Sequence, residues 1–128
     1  MANDLLLGMQ VEIAAGEPWE FVEAHGEGPF PGQIVRVGYD YWVSKLKNRN
    51  KEAVLIQLDT PFNVEDTTFE YLIASPRLET GDIHALVQGS EVYCGISCIP
   101  TDRAIGADPF DLSWWHKGIG LIGTVRRK

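Results

Sequence analysis

Cysteine is scarce in this chain, with two among 128 residues, Cys94 and Cys98. That is too few for the disulfide framework of small secreted domains and points to a reducing, cytoplasmic setting. Long apolar runs are also missing. The longest near the start is Leu5-Leu6-Leu7, preceded by Asp4 and without a basic flank, so neither a signal peptide nor a membrane span is expected. Basic residues are outnumbered, 11 to 18, giving a net charge of −7. Six acids and no lysine or arginine fall within residues 1–35. An acidic surface repels phosphates over a Debye length of about 8–10 Å, which disfavours general nucleic-acid binding. Apart from Arg77 and Arg103, the bases gather in 36–51 (Arg36, Lys45, Lys47, Arg49, Lys51) and in the tail (Lys117, Arg126, Arg127, Lys128).

The chain has the modal length of a single domain, 1–128, and its 45% hydrophobic content suffices for a core without a metal or disulfide staple. Thirteen glycines and seven prolines imply many turns. Period-two alternation marks seven short strands: Gln10–Ala14, Gln33–Ser44, Val54–Leu58, Thr67–Ser75, Ile83–Val87, Val92–Ile99 and Ile119–Val125. In the second, Val35, Val37, Tyr39, Tyr41 and Val43 read as the core face, with Trp42 opposite among Arg36 and Asp40. The third is expected to stop at Asp59-Thr60-Pro61, because proline removes a ladder donor. In the fourth, Phe69, Tyr71 and Ile73 share a face.

Two short helices complete the prediction. One spans about 109–117, with Asp108 as N-cap, Pro109 at N1 and Gly118 as stop. The other runs from Pro18 to His25 and stops at Gly26. The fold class is therefore mainly β, a β-rich α+β chain forming an antiparallel small barrel or sandwich. Gly8-Met9-Gln10-Val11-Glu12, Gly32-Gln33-Ile34-Val35 and Val54-Leu55-Ile56-Gln57-Leu58-Asp59 together resemble the opening strands of SH3-like and Tudor-like small β-barrels. The resemblance covers about half the chain and implies a barrel. Such families bind peptides, modified side chains or nucleic acid through loop aromatics, but no aromatic cage matches here residue by residue.

Motifs for chemistry are sparse. Gly118-Ile119-Gly120-Leu121-Ile122-Gly123 spells a dinucleotide fingerprint, yet only five residues follow it, leaving no room for the phosphate-binding helix or its distal acid. Cys94 and Cys98 fall on one face of a strand, about 13 Å apart, too far for a disulfide or a shared ion. His25, His84 and His116 lack metal-ligand spacing. No catalytic residue, metal or cofactor is assigned. The strongest positive signal is Leu112-Ser113-Trp114-Trp115-His116. Adjacent helical residues diverge by about 100°, so the two indoles cannot share one core: Phe110 and Trp114 form a packing stripe, and Trp115 and His116 lie on another side. The binding surface is accordingly placed at Trp114, Trp115 and His116, with Trp42 as a second element.

The function these features imply is noncatalytic binding by a cytoplasmic homodimer through an aromatic surface and acidic charge, with a basic protein as partner and neither nucleic acid nor membrane. An immunity or inhibitor protein that occludes a basic toxin is one form of it. The alternative is a small enzyme or small-molecule-binding domain with a pocket at the barrel mouth, built from His84, Cys94 or an acid of residues 102–111.

Overall fold

A computed structural model of the chain describes residues 5–39, 52–77, 81–101 and 119–128. The described residues form six strands: β1 (Gln10–Glu17), β2 (Phe30–Tyr39), β3 (Glu52–Val64), β4 (Thr67–Pro76), β5 (Val92–Pro100) and β6 (Ile119–Arg127). Each pairs antiparallel with its neighbour in sequence, and β6 returns to pair with β1, so the sheet closes into a barrel. The barrel alternative therefore holds over the sandwich. Closure leaves no unpaired edge among the described strands.

The interior is filled by apolar side chains. Val11, Ile13, Ile34, Val54, Ile56, Ile96 and Val125 are all 2% exposed or less, and Cys94 and Cys98 pack among them. Helix α1 (Trp19–His25) closes one end with Phe21, whose ring lies 5.3 Å from that of Phe62. The α1 boundaries agree with the sequence reading, including its stop at Gly26, which has φ 87°. The opposite end is closed by Leu6 and by a 3₁₀ helix (Ile83–Gln88) that buries Ile83 and Leu86.

That 3₁₀ helix corrects the strand expected over Ile83–Val87. The Asp82 carboxylate accepts a hydrogen bond from the His84 N–H at 2.9 Å, and Gly89 ends the turn in the left-handed conformation. Burial then follows a spacing of three, from Ile83 to Leu86, instead of two. Asp82→Ala is expected to cost about 1 kcal/mol in urea unfolding, as loss of a capping carboxylate does.

Bulges correct three further expectations. The β2–β3 register shifts between Ile34 and Arg36, so Ile34 and Val37 face the interior while Val35 is 38% exposed. The core face assigned by strict alternation is thereby reversed at Val35. Between Gln57 and Phe62 the β3–β4 register shifts again, and Pro61 sits in that irregularity, so β3 continues to Val64 instead of ending at Asp59. The β4–β5 register shifts between Phe69 and Tyr71. Phe69 consequently joins the barrel core, whereas Tyr71 and Ile73 lie outside it.

Candidate functional site

The strand ends define where the predicted contact residues join the barrel. Residues 18–29, the β3–β4 turn and the connection leaving Thr101 for Ile119 all depart from the end closed by α1. Tyr39 and Glu52 pair at the opposite end. Trp114, Trp115 and His116, and likewise Trp42 and the helix expected over 109–117, lie outside the described residues. The two predicted elements are thus bracketed by strand ends at opposite poles of the barrel.

On the outer surface of the β1–β6 pair lies an open cleft of about 220 Å³. Glu12 from β1, Thr124 and Arg126 from β6, Glu27 from the turn before β2, and Glu91 from the approach to β5 line it. Arg126 Nε stands 3.3 Å from Glu12 Oε1. The Arg126 side chain is 53% exposed, so this pair contributes little to stability. The cleft lining carries one guanidinium and three carboxylates, so it is net negative. The cleft depends on a tight turn at Gly28, which has φ 96°, and a Cβ there would come within 2.7 Å of the Ile13 carbonyl oxygen. Sequence reasoning missed this arrangement because Glu12, Glu27 and Glu91 are far apart in the chain. Only the β1–β6 closure brings them together.

At the α1 end, Phe21, His25, Phe30, Phe62 and Phe69 form a ring cluster with centroid separations of 4.7–6.3 Å. Trp19, at the start of α1, stays 68% exposed. It is a large exposed aromatic that the sequence reading did not single out. His84 directs Nε2 at Glu52 Oε1, 3.0 Å away, while its buried Nδ1 has no hydrogen-bond partner among the described residues.

Cys94 and Cys98 are both 0% exposed within the barrel, which removes them from any surface chemistry. Burial also pushes the Cys98 thiol well above its ordinary value of 9.0. Below that value folded and unfolded chains are both protonated there. At higher pH only the unfolded thiol ionises, so this group's contribution is lost as pH rises. Neither cysteine is expected to react with Ellman's reagent in the folded protein, and both are expected to react in denaturant.

Among the described residues no group of three or more histidine, cysteine or acidic side chains has metal-site geometry, and no described helix is long and apolar enough to cross a membrane. The site and fold define a closed six-stranded meander barrel with an acidic external cleft. The chain matches no known protein-family model, no curated protein and no solved structure.

Proposed function

We propose that this chain is a noncatalytic binding domain whose outer surface engages a protein partner rich in lysine and arginine. The observation that supports this reading is the cleft on β1–β6, where Glu12, Glu27 and Glu91 outnumber Arg126. Three carboxylates at an open surface attract a basic partner over several ångströms and raise its association rate, while their pairwise energies stay modest. Exposed Trp19, and Trp114, Trp115 and His116 in the reading from sequence, add the apolar contact that holds a steered complex. Among the described residues the barrel interior is packed with apolar side chains, including Ile13, Ile34, Ile56 and Ile96. Homodimerisation and a cytoplasmic setting belong to the same proposal.

The test is affinity capture from native host lysate at low and high salt, followed by titration of the recovered partner against variants. Glu27→Lys combined with Glu91→Lys is expected to weaken binding at least about tenfold at low salt and less at high salt. Trp115→Ala is expected to weaken it at both salts. Unchanged affinity in both variants would overturn the reading.

A further inference from the structure

The outer faces of β1, β6 and β5 form a shelf of small side chains with one aromatic ring beside them. Ala14 of β1 pairs with Thr124 of β6, and Thr124 pairs in turn with Tyr93 of β5, so the three make one row across the strands. The row points away from the core, because the flanking residues Ile13, Val92, Cys94 and Val125 are buried inside it. Ala14 is exposed, and Tyr93 is 43% exposed. Toward β4 the ring is followed by Gly95, over which the Arg77 side chain lies: a Cβ on Gly95 would stand 3.5 Å from Arg77 Cγ. Toward the other end it meets the acidic cleft. Ala14 and Thr124 belong to the lining of that cleft, and so does Glu91, two residues before Tyr93. Two residues of chain span at most about 7 Å, so the Glu91 carboxylate and the Tyr93 ring lie within reach of a single arginine side chain.

We propose that this face docks an arginine-bearing segment of the basic partner, one guanidinium stacking on the Tyr93 ring while it donates to the carboxylates at the rim of the cleft. This contact rests on the binding role proposed above and specifies the side chain recognised. Charge complementarity selects a cation, since Glu12, Glu27 and Glu91 line the cleft against the single base Arg126. The exposed ring selects the kind of cation. A guanidinium is flat, so its face packs on an aromatic ring while its N–H groups donate in their plane to carboxylates. A lysine ammonium is a compact, strongly hydrated charge that gains less from the ring. Among the described residues no three acidic, histidine or cysteine side chains converge with metal-site geometry, so the carboxylates are spread for a broad cation. The cleft already holds one group of this chemistry, as Arg126 Nε stands 3.3 Å from Glu12 Oε1. Glu91, next to Tyr93 but one, is the carboxylate assigned to the partner's arginine. Short side chains at Ala14 and Thr124 keep the row low beside the ring, and tyrosine and arginine are the side chains over-represented at interface anchors.

The test titrates the isotope-labelled full chain with hexa-arginine and, separately, with hexa-lysine at low salt, and follows by NMR both the protein amides and the peptide side-chain protons. Hexa-arginine is expected to bind about three- to fivefold more tightly, the margin a cation stacked on an exposed ring contributes. Its binding is expected to shift the amides of Glu91, Tyr93 and Thr124 and to move the arginine Hδ protons upfield, as protons above a ring face do. Tyr93→Leu is expected to remove the preference and the upfield shift together, and Tyr93→Phe to keep both. Equal affinity for the two peptides on the unsubstituted chain, or a preference that survives Tyr93→Leu, would overturn the arginine contact and leave an acidic binding face standing. Amide shifts by neither peptide at the cleft would overturn the contact and the proposed function with it. The comparison on the unsubstituted chain decides the matter even if Tyr93→Leu fails to fold.

Discussion

Gly123→Val is expected to destabilise the protein by about 3 kcal/mol or more in urea unfolding, the upper range for forcing atoms into a packed interior. Gly123 lies on β6 opposite Ala15 of β1 and Cys94 of β5, at the seam where the barrel closes. A Cβ added there would collide with the Ala14 carbonyl oxygen and approach the Ala15 Cα to 3.2 Å. These are backbone atoms held in the ladder, so they cannot swing aside as a side-chain tip can. A domain of this size has only about 5–15 kcal/mol of stability in total, and the loss should be visible as a markedly lower denaturation midpoint. Gly120→Ala is the internal control: it is on the same strand with nothing within 4 Å of the added carbon. Its expected change is within about 0.5 kcal/mol, as for other surface substitutions.

The second large effect separates two residues adjacent in sequence. Ile34→Ala is expected to cost about 2–5 kcal/mol, the range for truncating a large buried aliphatic side chain. Val35→Ala is expected to cost less than about 1 kcal/mol, because Val35 is 38% exposed and outside the core. Strict alternation read from sequence assigns these roles the other way round. Equal losses at both positions, or a larger loss at Val35, would contradict the bulge between Ile34 and Arg36.

Those two residues also show what a single sequence does and does not disclose. Alternation located β2, β4, β5 and β6, and the Pro18–Gly26 signals located α1, because each depends on neighbouring residues. A bulge inserts one residue without a compositional mark, so phase was lost after Ile34, and again near Pro61 and Phe69. Ile83–Val87 was ambiguous for a related reason: short apolar runs fit periods of two and three alike, and the deciding hydrogen bond, from the His84 N–H to Asp82, involves a side chain. The run Val54-Leu55-Ile56 did carry a legible sign of burial on both faces, since a strand with one wet face would alternate.

The candidate site was less legible than the fold. Glu91 lies 64 positions beyond Glu27 and joins Glu12 and Glu27 in one acidic cleft when β6 returns to β1. Composition indicated an acidic surface but not where its charge would concentrate. Trp19, at the start of α1, carries no sequence mark of its exposure, and Trp42, Trp114, Trp115 and His116 lie outside the described residues.

The apolar interior and the external cleft both depend on the closure of β1 against β6. Residue-resolved amide hydrogen exchange by NMR tests that closure most directly. The account predicts that amides along β1 and β6 exchange as slowly as those of β3 and β4, with protection near the global unfolding free energy. Exchange in β1 and β6 as fast as at the Glu65–Asp66 turn, with β3 and β4 still protected, would show an open sheet and contradict it.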